Sequence, residues 1–129
     1  MKPIRFADFN SIHPCVILGA GVAGHAAAVW LDSYGVPFEW IADGGEVGGM
    51  LRRVYNKLVN VPGETFPHGP ALVEGIIGQI DKSKFSSPRD ARITKIIRDE
   101  GFFRLNTEAG EDVLARVVIL ATGTVYETL

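Results

Sequence analysis

Three glycines near the start of the chain, Gly19, Gly21 and Gly24, have the spacing G-x-G-x-x-G. The apolar run Cys15–Leu18 precedes them and has the length of a strand, while alanine-rich sequence follows them. In that context the first glycine permits a sharp turn, the second lets a pyrophosphate approach the backbone, and the third lets a helix pack closely on the strand. The N–H groups and the positive dipole end of that helix then face the anion. The spacing therefore predicts a dinucleotide site, and a glycine turn without a ligand is the alternative.

Asp43 is a second residue that could contribute to such a site. It follows the apolar run Pro37–Ala42, which we interpret as a second strand. An acidic side chain at the carboxyl end of that strand can accept hydrogen bonds from both hydroxyls of a ribose. Alternatively, Asp43 only begins a turn ahead of Gly44 and Gly45, since aspartate favours turns. With the glycine fingerprint upstream, we favour the ribose role.

The sequence nominates no catalytic acid, base or nucleophile and no metal ligand. Cys15 is the only cysteine, which excludes an intrachain disulfide, a redox-active cysteine pair and a cysteine-based zinc site. Because Cys15 opens an apolar strand, we expect a buried structural thiol. The histidines His13, His25 and His68 are expected at the surface or in packing roles.

The composition describes one soluble globular domain. A chain of 129 residues can bury its own core, and its charged fraction of 22% leaves a net charge of -2. That balance disfavours nucleic acids and anionic membranes as partners. The N-terminal sequence has no long apolar segment, so we expect neither a secretory signal nor a transmembrane helix, and a cytoplasmic location. We divide the chain into an N-terminal arm, residues 1–14, and a single dinucleotide-binding domain, residues 15–129.

Two helices are predicted beside the candidate residues. The first spans about Ala23–Ser33 and ends at Gly35, since glycine suits the position just past a helix. Its apolar stripe comprises Ala23, Ala26, Ala27, Trp30 and Leu31. The second begins at His68–Pro70, with the proline in its first turn. Its apolar stripe comprises Leu72, Val73, Ile76, Ile77 and Ile80.

Strand patterns fill the C-terminal part. Three short strands, Arg92–Ile97, Phe102–Thr107 and Asp112–Leu114, are separated by glycine-containing turns and predict an antiparallel meander. The run Arg116–Gly123 is then a buried strand of a parallel sheet, and the ends of such strands line the ligand crevice. Upstream, the pair Gly48–Gly49 could let a flat ring or a sugar chain lie against the backbone, or could form an ordinary loop.

Four segments carry a family pattern in one order: Val16–Gly24, Gly48–Leu51, Val59–Gly63 and Val118–Gly123. In order and spacing they resemble the flavin domain of the thioredoxin reductase-like pyridine nucleotide-disulfide oxidoreductases, a family that includes bacterial ferredoxin–NADP reductases of similar build. The resemblance spans about residues 14–124. It implies an α/β, Rossmann-like FAD/NAD(P)-binding fold, with a parallel sheet, helices on both faces and a small antiparallel β-meander.

The resemblance also implies that the chain binds FAD and where it does so. The pyrophosphate would be held by Gly19, Ala20, Gly21, Val22, Ala23 and Gly24. Asp43 would take the adenosine ribose, and the backbone at Arg92 and Ile93 would border the adenine. The ribityl chain and flavin would lie along Gly49, Met50, Leu51 and Asn60. The crevice would be closed beside the pyrophosphate and flavin by Ala121, Thr122 and Gly123.

The chain departs from the family pattern in two motifs and in its extent. Val22 stands where most relatives have a proline, and Met50 stands where they have a glutamine, which removes a polar contact near the flavin. Family members continue from the last strand into a NAD(P)H domain and then return to complete the flavin domain. These departures and the single cysteine imply that the chain is not a self-sufficient disulfide reductase.

Two functions therefore remain open. The first is the flavin-binding part of an oxidoreductase, acting as a homodimer or with a partner protein that completes the flavin site, and exchanging electrons with a redox protein. The second is a non-enzymatic module that holds ADP, NAD or FAD by the adenosine half, for sensing or assembly. A third interpretation is that the sequence is a piece of a longer reductase.

Overall fold

The computed structural model describes residues 11–124. Residues 1–10 of the predicted arm and residues 125–129 of the predicted domain lie outside the described residues. The elements in chain order are β1 (His13–Leu18), α1 (Val22–Ser33), β2 (Phe38–Ala42), a 3-10 helix (Gly49–Arg53), β3 (Leu58–Val61), β4 (Glu64–Phe66), α2 (Gly69–Asp81), β5 (Arg89–Asp90), β6 (Ile93–Asp99), β7 (Phe102–Thr107) and β8 (Asp112–Leu120).

A six-stranded sheet with the order β5-β2-β1-β8-β7-β6 is the framework of the molecule. Strand β1 pairs in parallel with β2 on one side and with β8 on the other. Its residues Val16 and Ile17 have no solvent exposure, as expected for a strand that is covered on both faces. The β3–β4 hairpin forms a separate two-stranded sheet, which the sequence patterns did not indicate.

Strand β8 differs from its predicted form. The patterns suggested two strands, Asp112–Leu114 and Arg116–Gly123, but the chain runs without a break from Asp112 to Leu120. Its first half pairs antiparallel with β7 as far as Ala115, and the half from Ala115 pairs in parallel with β1. One continuous strand thus joins the meander to the parallel sheet.

Two apolar clusters lie on opposite faces of the sheet. Ile17 packs in the cluster that includes Ala28 of α1 and side chains of α2, while Val16 packs in the cluster that includes Leu105 of β7. In the part of the chain that the structure describes, both α-helices therefore cover one face. The expected helices on both faces are not found there, because the meander strands supply the apolar side chains that bury the second face. The α/β, Rossmann-like class itself is confirmed.

Helix α1 ends as predicted. Gly35 has a φ of +67°, a left-handed conformation that favours glycine, and its N–H donates to Asp32 O at 3.0 Å. The N–H of Val36 donates to Leu31 O at 2.9 Å. Together the two bonds form a Schellman motif, which satisfies the last carbonyl groups of the helix.

The buried face of α1 differs from the predicted stripe. Gly24, His25 and Ala28 are buried, whereas Ala23 is exposed and Trp30 is 61% exposed. Alanine occurs on several faces of this helix, so the apolar pattern could not select one of them. The close approach of the backbone at Gly24 decides which face meets the sheet.

Helix α2 begins at the predicted place. His68 is its N-cap, and the His68 Nδ1 atom accepts a hydrogen bond from the Ala71 N–H at 3.1 Å. Val73, Ile76 and Ile80 are buried, as the stripe predicts. Ile77 of the same stripe is 40% exposed, because it lies at the margin of the buried face.

His25 is buried in the first turn of α1. The residue is 6% exposed to solvent, and its ring centroid lies 6.3 Å from that of Trp40. Its Nε2 atom has no hydrogen-bond partner among residues 11–124. Burial lowers the pKa of His25, because a charged imidazolium would lose its hydration there. The folded state therefore holds this imidazole neutral.

We expect His25 to make the chain less stable in mild acid. Its folded pKa lies below that of the unfolded chain, so stability is fully present above the unfolded value and is lost as the pH falls below it. The His25→Leu variant should lose this component, which develops as the pH falls below the usual histidine pKa of about 6.5 and amounts to at most about 1.4 kcal/mol per pH unit. Urea unfolding at a series of pH values measures how the free energy of unfolding depends on pH.

The His25→Gln variant keeps a polar side chain that does not titrate. The dependence of its unfolding free energy on pH should therefore be reduced by the same amount. An unchanged slope in both variants would contradict the assignment.

Candidate functional site

The predicted turn between β1 and α1 is held by the strands on both sides. The Gly19 N–H donates to Ile41 O of β2 at 2.9 Å, and the Ala121 N–H donates to Leu18 O at 2.8 Å. The Trp40 Nε1–H donates to Gly19 O at 2.8 Å. These bonds fix the turn at the carboxyl ends of β1, β2 and β8, which is where open α/β sheets bind ligands.

The three fingerprint glycines have different steric surroundings. Gly19 has a φ of +108°, and a Cβ atom on it would overlap the backbone of Ala121. A Cβ atom on Gly24 would overlap the carbonyl oxygen of Gly19. A Cβ atom on Gly21 would meet no atom within 4 Å. Gly19 and Gly24 are therefore required by the fold, whereas the absence of a side chain at Gly21 leaves space in front of the helix.

The N-terminus of α1 offers unpaired donors to that space. Gly21 is the N-cap residue, no side chain caps the helix, and its first turn contains no acidic residue. The first N–H groups of a helix have no partner within the helix, and the helix dipole makes this end positive. This end of α1 is therefore suited to an anion such as a pyrophosphate.

A cleft of about 1360 Å³ opens beside this turn. Fourteen of the predicted site residues line it: Gly19, Ala20, Gly21, Val22, Ala23, Asp43, Gly49, Met50, Leu51, Arg92, Ile93, Ala121, Thr122 and Gly123. Its volume exceeds the range of about 300–1,000 Å³ that is typical of small-molecule pockets, so a whole dinucleotide has room there. Segments far apart in sequence thus meet at one place.

Two predicted site residues lie outside the lining. Gly24 lies beneath the turn, where it lets α1 approach β1. Asn60 lies in β3 with an exposed side chain and does not line the cleft. The reason is local, because β3 pairs with β4 in a sheet of its own. The geometry gives no support to the predicted role of Asn60 at the flavin.

The Gly48–Gly49 pair is attached directly to the fingerprint turn. The Gly48 N–H donates to Ala20 O at 2.7 Å, and a Cβ atom on Gly49 would lie 3.3 Å from the Gly21 Cα. Gly48 has a φ of +110°, and Val73 of α2 packs against it. The pair therefore packs against the fingerprint turn and α2, and its backbone lines the cleft.

One charged pair lies at one end of the cleft. This end is formed by the residue after β2 and the segment before β6. Arg92 Nε is 3.8 Å from Asp43 Oδ2, and both side chains are more than half exposed. The next residue after Asp43 is also held, because the Gly44 N–H donates to Asp90 Oδ1 at 2.8 Å. The predicted ribose acceptor is therefore accessible, and its backbone is tied to β5.

Sequence reasoning missed several residues of the site. Trp40 anchors the turn through its indole N–H, although its strand pattern indicated only a core residue. Further cleft residues without a motif signal are Glu46, Arg53, Val54, Thr94, Lys95, Ile96 and Thr124. Nothing in the local sequence separates these seven residues from surface residues.

Other kinds of site find no support within residues 11–124. Burial raises the pKa of the Cys15 thiol, so it stays protonated and unreactive, as predicted for a structural cysteine. Among the described histidine, cysteine and acidic residues, no group of three is placed to hold a metal ion. The described part contains no helix that is long and apolar enough to cross a membrane.

Comparison with known proteins finds ferredoxin–NADP reductases among the relatives of the chain. No family model matches it. It is 34% identical over 111 residues to a ferredoxin–NADP reductase of Gluconacetobacter diazotrophicus, an alignment that covers 83% of this chain and 32% of that protein. A ferredoxin–NADP reductase of Granulibacter bethesdensis is 33% identical, with 83% and 31% covered. The chain thus spans about a third of the length of these curated relatives.

The comparison with solved structures also finds reductases. A thioredoxin reductase from Streptococcus pyogenes has a TM-score of 0.79 at 26% identity, and the match covers 93% of this chain and 38% of that one. A ferredoxin-flavin thioredoxin reductase from Clostridium acetobutylicum has a TM-score of 0.77 at 20% identity, with 91% and 39% covered, and so shares the fold. In sequence and in fold, the chain is a homologue of the FAD-binding domain of the thioredoxin reductase-like pyridine nucleotide-disulfide oxidoreductases.

Proposed function

We propose that the chain binds FAD in this cleft and acts as the flavin-binding part of an oxidoreductase of the thioredoxin reductase or ferredoxin–NADP reductase type. The observation that carries the proposal is the meeting of three separate motif segments at one cleft: the fingerprint turn, the Gly48–Gly49 pair and the end of β8. The open space at Gly21 and the uncapped start of α1 suit a pyrophosphate. The residues present therefore fit the cofactor.

Each part of the cleft would have one task in holding FAD. The N–H groups at Gly21–Ala23 would bind the pyrophosphate, and Asp43 would accept the ribose hydroxyls. Leu51 and Val54 line the cleft near the glycine pair, where they would exclude water from the ring. FAD itself supplies the capacity to accept and donate electrons, and the protein contributes binding, orientation and exclusion of solvent.

We further propose that a second polypeptide, either another copy of this chain or a partner protein, completes the flavin site. Among the described residues, β7 covers β8 only as far as Ala115, so the edge beyond it has no neighbouring strand. Val117 is 53% exposed and Leu120 is 67% exposed along this edge. Trp30 and Tyr34 stack on each other at the exposed surface of α1. Exposed apolar side chains of this kind mark interaction surfaces.

In this scheme a redox protein is the electron partner. Three basic side chains, Arg52, Arg53 and Lys57, are exposed on and after the 3-10 helix, and Arg53 lines the cleft. A cytoplasmic location is part of the proposal, since a reducing compartment suits a chain with one free thiol.

A second candidate function is a non-enzymatic module that binds an adenine dinucleotide by its adenosine half. Two observations favour it. The pyrophosphate turn and Asp43 are complete, while Asn60 lies outside the cleft and Met50 offers no amide to a flavin ring. Such a module would hold ADP, NAD or FAD without electron transfer.

The absorbance spectrum of the purified chain separates the first candidate from a module that holds only ADP or NAD. We expect the visible absorbance bands of a bound flavin, and release of one FAD for each chain on heating, identified by mass. A colourless protein that takes up ADP but not added FAD would favour the adenosine module. A protein that takes up neither would refute both.

A further inference from the structure

Charged side chains are spread unevenly along the cleft. Those that line its described part are Asp43, Glu46, Arg53, Arg92 and Lys95. Asp43 and Arg92 lie beside each other at the end of the cleft that follows β2, and Lys95 lies in β6. Arg53 is the last residue of the 3-10 helix, so it brings a positive charge to a different part of the cleft.

The 3-10 helix starts against the fingerprint turn. Its first residue is Gly49, where a Cβ atom would lie 3.3 Å from the Gly21 Cα. At a rise of about 2 Å per residue, Arg53 lies about 8 Å further along this helix. Leu51 and Val54, which are close to Arg53 in sequence, also line the cleft. Arg53 therefore belongs to the apolar part of the cleft, where the proposed function puts the flavin ring.

The neighbouring Arg52 makes contacts of a different kind. Its Nε–H group donates a hydrogen bond to Val47 O at 2.7 Å, and the Nε atom lies 3.9 Å from Glu46 Oε2. Arg52 does not line the cleft. In the part of the chain that the structure describes, the Arg53 side chain has no ion-pair partner. No carboxylate of residues 11–124 therefore neutralises the charge that Arg53 brings to the cleft.

Reduction changes the charge of a flavin ring. When the oxidised ring accepts two electrons and one proton at N5, it gains one negative charge, which is shared by N1 and the C2 carbonyl oxygen. A cation close to the ring stabilises this reduced form more than it stabilises the neutral oxidised form. Such a cation therefore raises the reduction potential of the flavin.

We propose that Arg53 sets the reduction potential of the bound flavin by stabilising the reduced ring. The inference rests on the proposed binding of FAD in this cleft, and it assigns Arg53 to the ring rather than to the pyrophosphate. The higher potential favours electron transfer from the redox protein of the proposed function to the flavin, with one proton taken from solvent for every two electrons.

The midpoint potential of bound FAD tests the proposal and is measured by dithionite reduction in the presence of a reference dye. Arg53→Gln removes the charge from an exposed side chain. The affinity for reduced FAD relative to oxidised FAD should fall about tenfold, which lowers the potential by about 30 mV for a two-electron couple. Arg53→Lys keeps the charge and should keep most of the potential. Lys57→Gln is the matched control, because Lys57 is exposed and does not line the cleft, and its potential should equal that of the wild type.

Binding of ADP separates a contact with the ring from a contact with the pyrophosphate. ADP has the adenosine and the pyrophosphate but no flavin, so Arg53→Gln should bind it as tightly as the wild type does. A loss of ADP affinity in this variant would overturn the inference, and so would an unchanged potential or an equal fall in Lys57→Gln. These results on FAD-loaded protein would leave the proposed function standing. A wild-type chain that takes up no FAD would refute the proposed function together with the inference.

Discussion

Replacing Gly24 by alanine should destabilise the chain by about 3 kcal/mol or more, although alanine is the better helix former. Helix propensity alone predicts the opposite sign, a gain of about 1 kcal/mol. The added Cβ atom would overlap the carbonyl oxygen of Gly19, which is itself fixed by the Trp40 side chain. Neither the added Cβ atom nor the Gly19 carbonyl oxygen can move without breaking the turn between β1 and α1. Chemical unfolding followed by circular dichroism measures the change.

Gly75 in α2 provides the matched control. It is also an internal helix glycine, but a Cβ atom there would meet no atom within 4 Å. Gly75→Ala should therefore stabilise the chain by about 0.5–1 kcal/mol, as propensity predicts. If Gly24→Ala and Gly75→Ala had the same effect, the close contact between α1 and the turn would be wrong.

Replacing Gly21 by valine should weaken FAD binding strongly and leave the chain folded. The side chain would extend into open space, so the fold loses no contact, and the change at this N-cap costs about 1 kcal/mol at most. The same side chain would occupy the place of the pyrophosphate at the start of α1. We expect the affinity for FAD to fall by about 100-fold or more, because the helix N-terminus can no longer reach the anion.

Quenching of flavin fluorescence on titration measures this affinity. Gly21→Ala should give an intermediate loss, since its methyl group fills less of the space, and Gly75→Ala should bind as the wild type does. Undiminished FAD binding by a folded Gly21→Val variant would mean that the ligand does not lie against this turn.

Much of the fold could be predicted from local sequence. Gly35 predicts the C-terminal end of α1, and His68–Pro70 predicts the start of α2. The structure has this helix end and this helix start at the expected positions. The face that α1 buries could not be predicted, because alanine does not distinguish one face from another. The sequence pattern also did not predict that β8 is continuous. Ala115 interrupts the run of large apolar residues, but in the structure it pairs with both β1 and β7.

The candidate site was predictable where a motif imposes backbone geometry. Gly19, Gly21 and Gly24 carry that signal, and the structure gives each a distinct steric reason. Contacts between segments distant in sequence carry no such signal. The bond from the Gly44 N–H to Asp90 depends on the pairing of β5 with β2, and the position of Lys95 in the cleft depends on where the meander places β6.

The most direct test of flavin binding in the cleft is to map where FAD contacts the chain. Amide proton–nitrogen spectra of the ligand-free chain, whose mass is 14.0 kDa, can be recorded during titration with FAD. If FAD occupies the cleft, the largest shift changes should fall on Gly19–Ala23, on Asp43 and Gly49, and on Ala121–Gly123, with little change in β3 and β4. Saturable changes confined to other segments, or none at all, would contradict the assignment of this cleft as a flavin site.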